Sequence, residues 1–258
     1  MTLAGRHALV TGAGRGIGLA VALALAKQGA RLTLVGRDAR ALEKASAACR
    51  QAGSPHAELA RRDLLDRAQL DALARATASE CDVLVNNAGV APSASLEKTD
   101  DVTWDGTFAL NTFAPFALCR AALPEMARRG FGRVVNVAST AALHGFAYTT
   151  AYCASKHALL GLTRALDAEL AQRVPGRDVT VNAVCPGFVD TDIVRAAARR
   201  IAAATGCSEE QARARLGSMN PSGRLLSPDE VADAVLALVL ETPGRTRGAA
   251  VELGASGG

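Results

Sequence analysis

The chain has 258 residues, 49% of them hydrophobic, which suits one large α/β domain or two small ones with an ample core. Its 29 basic and 25 acidic side chains leave a formal charge of only +4, too balanced to argue for nucleic acid or a membrane surface, and no apolar run reaches the ~18 residues of a membrane span. The six cysteines show no Cys-x-x-Cys and no paired spacing with histidine, so a reduced, cytoplasmic chain without a bound metal is expected.

His7 to Thr11 is a short apolar run that stops at Gly12 and reads as a buried parallel strand. It lies too close to Met1 to leave room for the apolar region of a signal peptide. The stretch Thr11-Gly12-Ala13-Gly14-Arg15-Gly16-Ile17-Gly18 follows, and Ile17, Val21 and Leu25 then recur at helical spacing. A glycine-rich turn between strand and helix lets backbone approach a phosphate, and the helix N-terminus adds free N–H groups and a positive dipole. The spacing departs from the common Gly-x-Gly-x-x-Gly pattern, and the Gly-Lys-Ser/Thr ending of an NTPase loop is missing. The position of the turn favours dinucleotide binding over a plain tight connection.

Arg31 to Val35 is a second strand, ending Gly36-Arg37-Asp38. An acidic residue at such an end accepts from ribose hydroxyls, whereas an arginine accommodates a 2′-phosphate. Arg37 takes that place, with Arg15 in the turn facing the same group. Asp38 is expected to cap the next helix, over about 38–52. A short strand ends near Arg62-Asp63-Leu64, a helix covers about 66–79, and Asp82 to Asn86 is a fourth strand closing on Asn86-Asn87-Ala88-Gly89. Its two carboxamides lie where α/β sheets bind ligands. From about Asp100 to Arg129 the pattern is helical, with Pro115 four residues after Asn111. Proline has no N–H, so a kink is expected there, with the Asn111 carbonyl and amide presented free and bridged by water.

Arg133 to Val137 is strand five, and Ser139 lies just past its C-terminal end. Tyr152 and Lys156 open a helix running to about Ala171. Asp178 to Val184 is strand six, ending Cys185-Pro186-Gly187-Phe188-Val189-Asp190-Thr191. Residues 192–218 are helical in pattern but have the composition of a mobile insert, Ala- and Arg-rich with Thr-Gly in the middle. Ser227-Pro228-Asp229-Glu230 opens a last helix with a capping box, and Ala249 to Leu253 is a final strand. Strand–helix alternation without repeats or linkers implies one doubly wound, mostly parallel sheet with right-handed crossovers, a single domain over 1–258.

Tyr152 and Lys156 carry the chemistry this pattern suggests. Four residues apart on a helix they share a face, with Cβ atoms about 5–6 Å apart. A fixed ammonium beside the ring favours phenolate and lowers the tyrosine pKa, which makes the pair a general acid/base tuned toward neutral pH.

TGAGRGIG at 11–18, NNAG at 86–89, Asn111, Ser139, YCASK at 152–156 and PGFVDT at 186–191 together resemble the short-chain dehydrogenase/reductase family over nearly the whole chain. The resemblance implies a Rossmann-like single domain with about seven parallel strands flanked by helices. Gly12, Gly16, Ile17 and Gly18 would wrap the pyrophosphate, with Arg15 and Arg37 at the 2′-phosphate. Asp63 and Leu64 would meet the adenine, Asn87 the adenosine-side ribose, Tyr152 and Lys156 the nicotinamide ribose, and Val189 and Thr191 the carboxamide. It further implies a catalytic set of Asn111, Ser139, Tyr152 and Lys156 and a homotetramer pairing the helices that carry Asn111 and Tyr152; Arg15 and Arg37 add the expectation of NADP(H) preferred, with NAD(H) possible. ASKHALLGLTRALDAEL and VNAVCPGFVDT resemble polyketide and fatty-acid ketoreductases. The ending Leu253-Gly-Ala-Ser-Gly-Gly departs from the family's frequent Asp-Gly-Gly and bears on the C-terminal subunit contact.

The expected reaction is hydride transfer between nicotinamide and a carbonyl or secondary alcohol. A helical lid over about 188–220 would cover a pocket walled by Ser139, Ala141, Leu143, His144, Phe146 and Phe188. Lid arginines 195, 199, 200, 213 and 215 would form a basic rim suited to a 3-oxoacyl thioester of coenzyme A or a carrier protein. The alternatives are a dehydrogenase of a small secondary alcohol or hydroxy acid, and a non-catalytic dinucleotide-binding sensor or scaffold.

Overall fold

The computed structural model describes residues 2–241 and 246–254. In chain order it runs β1 (His7–Thr11), α1 (Gly16–Lys27), β2 (Arg31–Gly36), α2 (Ala39–Gln51), β3 (Ala57–Arg61), α3 (Arg67–Glu80), β4 (Val83–Asn86) and α4 (Asp101–Phe108). After it come α5 (Ala114–Arg129), β5 (Phe131–Val137), α6 (Thr150–Arg173), β6 (Asp178–Pro186), α7 (Asp192–Thr205), α8 (Glu209–Ser218), α9 (Pro228–Leu240) and β7 (Ala250–Leu253). The sheet order is β3-β2-β1-β4-β5-β6-β7 and every pairing is parallel. The order reverses between β1 and β4, where the C-terminal strand ends splay apart and leave a crevice for ligands. Residues 255–258, which carry the departure from the Asp-Gly-Gly ending, lie outside the described residues.

The strands read as continuous apolar runs because both faces are covered. Ala8 and Val10 of β1, with Val83 and Val85 of β4, pack beneath α1 and α9, while Leu9 and Leu84 face the opposite way, against α3 and α5. This two-residue alternation puts each strand into both cores. Asp38, Asp66, Asp100, Ser208 and Ser227 cap the helices that follow them, each accepting a first-turn backbone N–H.

Between α4 and α5 the chain makes a wide π-helical turn over Ala109–Phe113, in which the Ala114 N–H donates to the Ala109 carbonyl five residues back. This replaces the simple proline kink. The turn is widened just before Pro115, whose missing N–H already disrupts the regular ladder. Among the described residues no helix is long and apolar enough to cross a membrane, and no group of His, Cys, Asp or Glu side chains could hold a metal ion.

Candidate active site

The glycine-rich turn is locked by close contacts. Gly12 and Gly16 have φ of +67° and +54°, where side chains are disfavoured. A Cβ on Gly18 would collide with the Gly12 carbonyl oxygen and lie 2.5 Å from Asn87 Nδ2, so only glycine lets helix and strand meet there. Thr11 ties the turn to the end of β4: its Oγ1 accepts the N–H groups of Asn87 and Ala88, and Asn87 Nδ2 donates to the Thr11 carbonyl at 2.8 Å. The Asn87 amide, expected to face a ribose, is thus engaged in holding Thr11. Unlike the capped helices, α1 begins at Arg15 with no side-chain cap and no acidic residue in its first turn. Its free N–H groups and dipole are left for an anion. Ile17 packs against the core beneath. Thr191, which opens α7 also without a side-chain cap, packs its Cγ2 3.3 Å from where a Gly16 Cβ would be, and Val189 beside it is buried.

Arg37 directly follows β2, exposed, 3.9 Å from an Asp63 carboxylate oxygen; Arg15, also exposed, lies 3.6 Å from Asp192. Both guanidiniums are held only by loose surface pairs worth little, so an anion can recruit them. Asp63 accepts the Leu65 N–H, and its own N–H donates to Gln69. The Leu64 side chain is buried in the core, leaving its backbone for contact.

Ser139, Tyr152 and Lys156 come together at the C-terminal ends of β5 and β6. Ser139 Oγ accepts the Ala141 N–H at 3.1 Å and lies close enough to the Tyr152 hydroxyl to favour its charged form. Lys156 Nζ donates to the Val137 carbonyl at 2.8 Å and stands 5.9 Å from the Tyr152 ring centroid. Asn111 reaches the same spot from the π turn: a Cβ on Gly89 would be 3.0 Å from Asn111 Oδ1 and 3.7 Å from Lys156 Nζ.

Two expectations change here. Burial raises the Tyr152 pKa, with the nearby Ser139 hydroxyl opposing it, and burial drives the Lys156 ammonium down to about 8. The ammonium therefore does not lower the tyrosine in the protein alone, because desolvation disfavours both charged forms and outweighs attraction over this distance. The Asn111 amide is not free either. Its Oδ1 accepts the Val90 N–H at 2.9 Å, and its Nδ2 donates to the Val90 carbonyl and to Ser155 Oγ. Asn111 clamps the loop after β4.

Of the expected pocket wall, Phe146 and Phe188 meet edge to face with centroids 6.3 Å apart, Ala141 is buried and Leu143 packs on a small core under α6. His144 is exposed, because the short 3₁₀ turn Thr140–Ala142 ends just before it and turns the chain outward. The segment expected as a lid folds into two helices, α7 and α8, packed through Val194, Ala198, Ala212 and Leu216. Its expected basic rim is partly paired, by surface ion pairs: Arg213 and Arg195 with Asp190, Arg195 also with Asp192, and Arg199 with Glu209.

Three supporting roles are not expected from the sequence, although Thr11 and Ser155 lie within the TGAGRGIG and YCASK motifs. Ser155 positions Asn111, and Thr11 binds the two nucleotide-side turns. Buried Asn220 accepts the Phe188 N–H at 2.8 Å and donates to the Phe188 and Arg224 carbonyls. Each works over more than thirty residues of separation or by bonds to backbone, which no local pattern announces.

A sequence profile described as short chain dehydrogenase matches residues 6–202. D-beta-hydroxybutyrate dehydrogenase of Cupriavidus necator is 38% identical, covering 96% of this chain and 95% of that one. The 3-oxoacyl-acyl-carrier-protein reductase of Vibrio harveyi is 35% identical over 92% and 91%. Among solved structures, a variant of actinorhodin polyketide ketoreductase with NADPH superposes with a TM-score of 0.88 at 33% identity, covering 96% of this chain and 95% of that one.

Proposed function

The chain belongs to the short chain dehydrogenase family, and from that premise we propose a site in which Ser139, Tyr152, Lys156 and Asn111 act on a carbonyl beside a bound NADP(H). The protein is an NAD(P)-dependent oxidoreductase acting on a carbonyl or secondary alcohol. The nicotinamide, when bound, supplies or takes the hydride, and the protein orients and protonates. The residues fit such a group: the uncapped N-terminus of α1 beside Gly12, Gly16 and Gly18 receives the pyrophosphate, with Val189 and Thr191 opposite. Arg15 and Arg37 receive the 2′-phosphate, since arginine binds phosphate by paired, charge-assisted bonds. The NADPH-bearing ketoreductase supports this preference.

In reduction the Tyr152 hydroxyl gives its proton to the carbonyl oxygen, and Ser139 donates a hydrogen bond to the same oxygen and fixes its position. Lys156, held by the Val137 carbonyl, would hold the nicotinamide ribose, and its positive charge would balance the phenolate left behind when the cofactor is bound. Asn111 holds the Val90 loop and Ser155, and so keeps the floor around Lys156 in place.

The observation that carries this reading is the convergence of Ser139, Tyr152 and Lys156 at one sheet edge beside the uncapped turn. The substrate we assign is a ketone with an apolar arm, including a 3-oxoacyl thioester, which the likeness to the 3-oxoacyl reductase supports. The likeness to D-beta-hydroxybutyrate dehydrogenase favours a small hydroxy acid instead, although His144, its only candidate cation at the wall, is exposed. We further assign a cytoplasmic homotetramer. Exposed Leu96, Val102 and Trp104 beside and on α4 support an apolar subunit contact. A panel of ketones, acetoacetyl thioesters and acetoacetate, followed by NADPH and NADH oxidation, decides among these. Tyr152→Phe should abolish turnover and leave NADPH binding nearly intact; near-normal kcat would end the assignment.

A further inference from the structure

Tyr148 is, among the described residues, the one non-glycine residue in left-handed conformation, with φ +63°. Such a backbone is disfavoured for a bulky L-residue and persists only where its surroundings over-determine it, most often at functional sites. The surroundings here are three loops leaving the C-terminal edge of the sheet. The Tyr148 carbonyl accepts the Ala94 N–H at 2.9 Å, from the loop after β4 that Asn111 clamps. Two residues back, Phe146 sits edge to face with Phe188, from the loop after β6. One residue on, Thr149 donates to the Phe146 carbonyl and opens α6, three residues before Tyr152.

The residue fixed by its backbone at this junction is 67% exposed. A tyrosine gains most when its ring is covered, and glycine or asparagine would suit the left-handed backbone better. Neither folding nor turn chemistry explains an exposed aromatic ring at the strained position. A ligand face does. The mouth then has two aromatic tiers, Phe146 with Phe188 and Tyr148 farther along the same loop.

We propose that Tyr148 is a specificity-determining residue, whose ring covers the part of a ketone substrate beyond its reacting carbonyl and so selects substrates bearing a bulky apolar or ring-containing arm. The proposal rests on the reductase reading above and names the substrate class of that site.

The test compares kcat/KM for 2-tetralone with that for butan-2-one, using NADPH, in wild type and in Tyr148→Ala, Tyr148→Phe and Tyr148→Gly. Wild type should prefer 2-tetralone. The preference should fall at least about tenfold in Tyr148→Ala, mainly through KM, as expected for a lost aromatic contact, and survive in Tyr148→Phe. Tyr148→Gly should lose it equally while keeping or raising the melting temperature, because glycine relieves the backbone. An unchanged ratio in Tyr148→Ala, a parallel loss for both ketones, or a wild type without preference for 2-tetralone overturns the proposal. NADPH binding, followed by cofactor fluorescence, with turnover on any other ketone would leave the reductase reading standing after such a failure; absence of both would remove that reading as well.

Discussion

Lys156 occupies a place that disfavours its own charge. It is 5% exposed, and burial holds its folded-state pKa at about 8, below the 10.5 of a free lysine. Below pH 8 the folded and unfolded chains are both protonated and the fold carries the full desolvation penalty. Between pH 8 and 10.5 the unfolded chain binds more protons, so unfolding becomes harder as pH rises. At about 1.4 kcal/mol per unit, the penalty at neutral pH is roughly 3 kcal/mol. Lys156→Met should therefore stabilise the nucleotide-free protein near pH 7 by about 1–3 kcal/mol, the lost bond to Val137 offsetting part of the gain, while activity collapses. Urea denaturation of both proteins from pH 6.5 to 10.5 checks it: the gap should close across the upper part of that range, and a pH-independent gap would show that charge burial is not its cause. Tyr152 moves the opposite way, its hydroxyl raised by burial and so kept protonated through neutral pH, the form a proton donor needs.

At the level of elements, the site depends on how tightly two loops are drawn onto the sheet. In the first, α1 can approach β1 only because residue 18 has no side chain. Gly18→Ala would drive a methyl into the Gly12 carbonyl and the Asn87 amide, and either turn must then move. Nucleotide affinity should fall by more than about tenfold, since a shift of the turn misplaces every N–H aimed at the pyrophosphate. Titration of the variant with NADPH measures this directly. The second is the loop after β6, where Asn220 closes a ring of bonds around Phe188. Asn220→Ala leaves a part-buried N–H without its partner, at a cost of about 1–3 kcal/mol. A drop in melting temperature together with a raised KM for the ketone is expected, because Phe188 is half of the aromatic pair at the expected pocket wall. A lower melting temperature with unchanged KM would make Asn220 a purely structural clamp.

For the molecule as a whole, cofactor choice is set by charge at the edge of the crevice. Arg15 and Arg37 are exposed and loosely paired, so a 2′-phosphate can displace their carboxylate partners at little expense. Arg37→Asp should weaken NADPH far more than NADH. In wild type NADPH should raise the melting temperature by several degrees, about 2.7 kcal/mol of stabilisation at a hundredfold excess over Kd, and NADH at equal concentration by less. A larger shift with NADH would reverse the assignment. Much of this architecture is written locally. Apolar runs ending at Gly12, Asn86, Ser139 and Cys185 mark the strands, and the side-chain caps at Asp38 and Ser227 mark where helices begin. The spacing of Tyr152 and Lys156 places both on one helical face. These features follow from contacts within a turn or from a two-residue alternation, so the chain determines them by itself. Tertiary packing decided the rest. It occupied the amides of Asn87 and Asn111, widened the helix before Pro115, paired Arg195, Arg199 and Arg213 with acids, and reversed the expected shift of Tyr152. Hydrogen-bond partners and desolvation are set by groups that distant segments bring within a few ångströms, and that proximity exists only once the sheet has assembled.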